Sequence, residues 1–226
     1  MTSRWIVFTL FTMSEQRENI LAAACELYLK EGLEGFSMRK LARRVGVTAP
    51  ALYRHYESRE GVLVDVIHHA YRRLAHHLYR ALEGSTPQER FRMAGQGYVD
   101  FALENPRLYD VLYVAPDHLG WEELPEEVRT QACAVGQFWN DRVRECVAQG
   151  MLRDGDPTDI SVTLWAHSHG LISLYLRGML LVEEATFREL FRSSTWRLLV
   201  GLATSEFALQ RGAEGGENAD LKAGAA

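Results

Sequence analysis

Between Phe36 and Glu60 the chain sets six cations, Arg39, Lys40, Arg43, Arg44, Arg54 and Arg59, against two acids, Glu57 and Glu60. The local balance is +4, on a chain whose formal net charge is −5. A basic patch on an acidic protein is suited to a polyanion, because each phosphate it neutralises releases condensed counterions. Most charge runs are only solvated faces, so charge alone decides little. The spacing adds more. The cations sit on two short apolar-periodic runs that meet at Gly46, a residue able to take the positive φ of a tight inter-helix turn.

Those side chains need elements to position them. Ser37 is a good N-cap for a helix that carries Leu41, Ala42 and Val45 inward. A short helix around Ala49 to Tyr56 follows, and Leu41, Val45, Val47, Leu52 and Tyr56 form a compact core between the two. A preceding helix from about Ser14 to Lys30 places Ile20, Ala24, Leu27 and Tyr28 on one face and ends at Gly32. Ser58 caps a long helix that runs to about Glu83 and closes at Gly84.

The rest of the chain also reads as helix, with no alternating strand pattern. Thr86-Pro-Gln-Glu89 is a helix-start signature. Asn105-Pro106 interrupts the next stretch, and Leu124-Pro125 opens a helix that ends at Gly150. Asp156-Pro157 opens a very apolar helix to about Leu180, and a last helix spans about Ala185 to Leu209. The organisation expected is a disordered extension over 1–13, a three-helix DNA-binding unit over 14–60, a larger bundle over 61–210 and a disordered tail over 211–226. Trp5 to Phe11 is apolar but too short to span a membrane, and no small-residue cleavage site follows it.

The segment from Ser37 to Glu60 resembles the DNA-binding signature of the TetR family. That signature has a Ser or Thr opening the second helix, an aliphatic-Ala pair, Gly-Val-Ser/Thr at the turn, Leu-Tyr-x-His-aromatic in the third helix, and Ser-Lys-Glu after it. Here the places are held by Ser37, Leu41-Ala42, Gly46-Val47-Thr48, Leu52-Tyr53-Arg54-His55-Tyr56 and Ser58-Arg59-Glu60. Pro50-Ala51 stands where the family often has Gly-Thr, and Arg59 replaces the usual Lys with its charge kept.

The resemblance implies an all-α fold: an N-terminal three-helix helix-turn-helix domain and a C-terminal helical bundle that dimerises through a four-helix interface. It implies that the third helix enters the major groove of double-stranded DNA by its N-terminal end. Thr48, Ala49, Pro50 and Tyr53 would face the DNA. Thr48 can donate to a phosphate or base edge, and Ala49 and Pro50 can touch a thymine methyl. Tyr53 and His55 are expected on phosphate. Ser37 caps a helix whose first amides can hold one too. Arg39, Arg43, Arg44, Arg54 and Arg59 are candidates for base or backbone contacts. For Tyr56, packing against the following helix is the expectation.

The bundle is rich in aromatics: Tyr98, Phe101, Tyr109, Tyr113, Trp121, Phe138, Trp139, Trp165 and Tyr175, with His118, His167 and His169 nearby. Such residues are usually plain core, but an apolar cavity with a few polar groups is also what a small-molecule site needs. Trp165-Ala-His-Ser-His169-Gly170 resembles a TetR subfamily marked by Trp-x-x-x-His-Gly, and Gly170 would allow close helix contact. Tyr98, Phe101, Tyr109, Tyr113, Phe138, Trp139, Trp165 and His169 are the candidate effector-binding residues.

The last two long helices are apolar on more than one side, through Ile160, Leu164, Leu171, Leu174 and Tyr175, then Phe187, Phe191, Leu198, Leu199 and Leu202. Each needs two partners, which a C2 homodimer supplies.

The whole is read as a ligand-responsive repressor that leaves a near-palindromic operator when a small lipophilic effector binds. The alternatives are a ligand-independent DNA-binding protein and a helical-bundle enzyme. The chain holds no His-Glu-x-x-His, P-loop, dinucleotide glycine fingerprint or paired Glu-x-x-His helices. No catalytic residue, metal site or cofactor is expected. His68-His69 and His76-His77 are read as exposed helix histidines. The odd set of cysteines, Cys25, Cys133 and Cys146, fits a reducing cytoplasm, with Cys25 a buried structural thiol. No membrane association is expected.

Overall fold

The computed structural model describes the backbone over residues 3–113 and 125–208, and side chains at 16–32, 35–113 and 125–208. His118, Trp121 and the expected disordered tail lie outside the described residues. The described elements are α1 (Ser3–Gly35), α2 (Met38–Val45), α3 (Ala49–Tyr53), α4 (Arg59–Tyr79), α5 (Pro87–Glu104), α6 (Pro106–Tyr113), α7 (Glu126–Ala148), α8 (Pro157–Leu176) and α9 (Glu184–Leu202). A 3-10 turn, Arg80–Glu83, tightens the exit of α4. Helices account for the regular structure among the described residues, apart from one isolated bridge between Leu152 and Ala203.

Contacts divide the chain into two compact units. The first is Met1–His76 with Glu104–Ala134, and the second is His77–Leu103 with Val135–Ala226. The division falls inside α4, between His76 and His77.

In the first unit α1 packs on α2 and α6, and α2 packs on α3. Among the described side chains of α1, Ile20, Ala24, Leu27 and Tyr28 are buried, and so is Cys25. Burial pushes the Cys25 thiol up to about 12, so it is an inert apolar filler. Gly32 breaks the helical geometry with φ 66°, and the helix resumes to Gly35. Leu41, Leu52 and Tyr56 are buried, with Met38, Ala42 and Phe36 beside them, whereas Val45 and Val47 are only half-buried.

In the second unit Phe91, Val143, Cys146, Met151, Leu152 and Leu164 form a buried cluster, and Trp139, Ile160, Leu198 and Leu199 pack on it. The Phe91 and Trp139 rings stack at 5.3 Å, and Tyr175 and Phe187 stack at 4.1 Å. The start of α5 is a complete capping box. Glu89 N donates to Thr86 Oγ1 at 3.1 Å, and Glu89 Oε2 accepts from Ser85 N and Thr86 N at 2.8 and 3.2 Å. Asp156 caps α8 by accepting from Thr158 N at 2.9 Å.

Several features differ from the sequence reading. The first helix begins at Ser3 rather than Ser14, inside the stretch expected to be disordered, and the first compact unit runs past residue 60 to His76 and takes in Glu104–Ala134. The last helix is interrupted rather than continuous to Leu209: α9 ends at Leu202 and a short helical stretch follows over 205–208, because the chain between is pinned, with Arg153 N donating to Leu202 O at 2.8 Å and Thr204 N to Met151 O at 3.1 Å. His77 is buried, not exposed, with its ring edge-on to Phe101 at 5.8 Å. The close backbone approach is at Gly97, where a Cβ would lie 2.5 Å from His77 O, while Gly170 faces open space within one chain.

Candidate nucleic-acid interface

Ser37 takes an extended conformation, and its Oγ accepts from Lys40 N at 3.3 Å, which starts α2. Gly46 closes α2 in the left-handed region at φ 78°. Val47 N then donates to Ala42 O at 2.9 Å, so the turn satisfies a carbonyl that the helix end leaves open. Thr48 caps α3, its Oγ1 accepting from Ala51 N at 3.3 Å, and Pro50 occupies the first turn, where its missing N–H costs nothing. Of α3 only Leu52 is buried. Thr48, Pro50, Tyr53 and Arg54 are exposed, Ala49 and His55 half-buried, and Tyr53 shows 51% of its surface. Tyr53 and Arg54 thus stand exposed side by side at the end of α3.

The structure sorts the six cations into two groups. Lys40 pairs with Glu31 and donates to Gly35 O at 2.9 Å. Arg44 pairs with Glu26, which also takes Arg107 from α6. Arg59 pairs with Glu60 at 3.0 Å. The side chains of Arg39, Arg43 and Arg54 are exposed and have no ion pair among the described residues. The carboxyl of Glu26 is held below its usual value by Arg44 first and Arg107 second, and that of Glu31 by Lys40.

Tyr56 does not face outward. It is buried, and its hydroxyl donates to Asp65 Oδ2 at 2.7 Å. Burial, then this hydrogen bond, raises its pKa. The same oxygen accepts from Arg17 Nε at 3.0 Å and Nη2 at 2.8 Å. These side chains line a half-open cleft of about 580 Å³ in the first unit, together with His55, His69 and Arg72. Burial, then Arg72 and Arg73, lowers the pKa of His69. Arg17 and Asp65 are 48 residues apart, and no local pattern in the sequence marks either one.

The candidate effector residues fall in both units. Tyr109 and Tyr113 belong to the first, with ring centroids 4.9 Å apart. In the second, Trp165 Nε1 donates to Tyr98 Oη at 3.1 Å, and the Trp165 and His169 rings lie 5.8 Å apart. His169 Nε2 sits 3.4 Å from Ser173 Oγ, and burial, then Arg177, lowers its pKa. Phe101 is fully buried, Tyr79 packs on Phe138 at 5.0 Å, and Trp139 covers Phe91. Trp165 keeps 43% of its surface exposed. Among the described residues no His, Cys, Asp and Glu cluster could hold a metal ion, and no helix is long and apolar enough to cross a membrane.

Residues 20–66 match the family model for bacterial regulatory proteins of the tetR family, and residues 91–198 match that for the tetracyclin repressor-like C-terminal domain. The nucleoid occlusion factor SlmA of Vibrio vulnificus is 35% identical over 144 residues, covering 63% of this chain and 71% of that protein. The HTH-type transcriptional activator FasR of Mycolicibacterium smegmatis is 27% identical over 127 residues, 55% of this chain; the chain spans only 58% of FasR's length. The structure of a protein of unknown function from Rhodococcus sp. RHA1 superimposes with a TM-score of 0.70 at 29% identity, covering 84% of this chain and 96% of that one. The regulator PfmR of Thermus thermophilus shares the fold, with a TM-score of 0.64 at 22% identity over 80% of this chain and 96% of its own. With both of its parts matched in order and the turn at Gly46 built as such a reading head requires, the chain belongs to the TetR family of DNA-binding transcriptional regulators.

Proposed function

We propose that the chain is a homodimeric, ligand-responsive repressor that binds a near-palindromic operator in the cytoplasm and releases it when a small lipophilic effector binds. The observation that carries the DNA-facing part is the free group of cations. Arg39, Arg43 and Arg54 are exposed without ion pairs among the described residues, next to the exposed Tyr53. These four make the main contacts, and Thr48, Ala49 and Pro50 at the start of α3 meet base edges. Ser37 and His55 support phosphate binding. Arg44 and Arg59, engaged with Glu26 and Glu60, contribute less.

The dimer reading rests on α8 and α9. Of α8 only Ser161, Leu164 and Ile172 are buried within one chain, and Val162, Trp165, Leu174, Trp196 and Val200 stay exposed. An apolar face of that extent on two packed helices needs a partner. The effector reading rests on Trp165, His169 and Tyr98, with Phe101, Phe138 and Trp139 in the same unit, and it includes the Trp-x-x-x-His-Gly subfamily assignment. Tyr109 and Tyr113 are not part of that proposal.

The test begins with a duplex selected by the protein from a randomised pool. Tyr53→Ala should weaken binding to it with no loss of dimer. Lipophilic compounds found by thermal shift should weaken it too. Unchanged affinity with every stabilising compound would overturn the ligand-responsive part. An unselected pool would overturn the operator.

A further inference from the structure

We propose that Asp65 is a positioning residue for DNA binding, its single Oδ2 latching the end of the reading helix and α1 onto α4. The proposal rests on the DNA-binding reading of α3.

Besides its packing on α2 and the Thr48 cap, α3 has few anchors. α3 is five residues long and buries only Leu52. The turn after it is tied to the helix by the backbone, with His55 N and Tyr56 N both donating to Leu52 O, at 2.9 and 3.1 Å. Tyr56 therefore moves with α3. Its hydroxyl ends on Asp65 Oδ2 at 2.7 Å, on the next helix, and Arg17 reaches the same oxygen from α1 with two N–H donors. The Arg17 guanidinium also lies 6.0 Å from the centre of the Tyr56 ring. Three elements meet at one oxygen.

A hydroxyl donating to a carboxylate is among the stronger protein hydrogen bonds. The Asp65 side chain is only 16% exposed, so water competes weakly for it. Tyr56 is too buried to touch a phosphate itself. Its hydroxyl acts only through orientation.

Tyr56→Phe removes the hydroxyl and keeps the ring, so the core stays filled. Asp65→Ala removes the shared acceptor. With full-length protein and a duplex selected by the wild type, each variant should lose about tenfold in affinity, the order set by one charge-assisted hydrogen bond. The slope of log affinity against log salt should stay at the wild-type value, because no phosphate contact is removed. The double variant should lose no more than the worse single one.

Affinity of both single variants within about twofold of wild type would overturn the latch. So would additive losses in the double variant, or a changed salt slope, which would mean that the variants alter ionic contacts with DNA rather than the orientation of α3. If Asp65→Ala fails to fold, Tyr56→Phe and Arg17→Gln decide alone by the same criteria. Failure of the wild type to select any duplex would sink the DNA reading itself.

Discussion

The division of the basic residues into engaged and free cations gives a quantitative prediction. Arg39, Arg43 and Arg54 have no ion pair among the described residues, while Lys40 and Arg44 are held by Glu31 and Glu26. Each phosphate contact contributes about 0.9 to the slope of log affinity against log salt on duplex DNA. Replacing Arg39, Arg43 and Arg54 together by Ala should lower that slope by up to about 2.7 per protomer. Between about 50 and about 200 mM salt, one such contact accounts for about 3.5-fold in affinity, so the triple variant should be less salt-sensitive by about 40-fold per protomer. Lys40→Ala and Arg44→Ala should change the slope far less, since their charges are already matched inside the protein. Fluorescence anisotropy with a labelled duplex across a salt series measures both. If Arg44→Ala or Lys40→Ala lowered the slope as much as any free arginine, the ion pairs would have to dissolve on DNA, and the sorting would be refuted.

Other predictions concern stability and assembly. Gly97→Ala puts a Cβ 2.5 Å from His77 O and should cost about 2 kcal/mol, lowering Tm by about 6 °C in a chain of this size; a Tm within about 1 °C of wild type, well short of that shift, would mean the backbone yields there. Trp196→Glu and Val200→Glu, on the exposed apolar face of α9, should give monomers by light scattering, and dimers unchanged in mass would place the interface elsewhere. The depressed carboxyl of Glu26 contributes stability that is present above its ordinary value near about 4.3 and is lost as pH falls through its lower folded value. Glu26→Gln should therefore flatten the acid limb of the stability curve, by at most about 1 kcal/mol for so accessible a pair. A curve superimposable on wild type from pH 5 to pH 3 would remove Glu26 from the account.

Local chemistry was readable where it is written in adjacent residues. Ser37, Gly46, Thr86 to Glu89 and Asp156-Pro157 each act within a few positions of themselves, and each caps or turns the backbone as its type requires. Arg44 looked the same as Arg39 and Arg43 in sequence. Only folding brings Glu26 to it, 18 residues away, and Arg107 to Glu26, 81 away. Asp65 was invisible for the same reason: an acid on a long helix has no signature until Tyr56 and Arg17 arrive. The early end of α9 depends on pairing with the segment at Leu152, some fifty positions upstream, and helical periodicity carries no trace of it. His77 is buried where Gly97, a residue whose value is the side chain it lacks, lets the α5 backbone approach the His77 carbonyl.

The engagement of Lys40, Arg44 and Arg59 by the protein's own acids bears on how such a regulator finds its target. A genome presents about 10⁶–10⁹ competing sites, each held by charge alone. A reading head with every cation free would spend its time on random sequence. On the DNA-facing reading proposed above, neutralising part of the basic surface internally would shorten each stay on the wrong DNA and leave more of the discrimination to the few groups at the tip of α3. Fewer free charges also mean less electrostatic steering, so the gain in sampling rate comes with fewer productive encounters per collision.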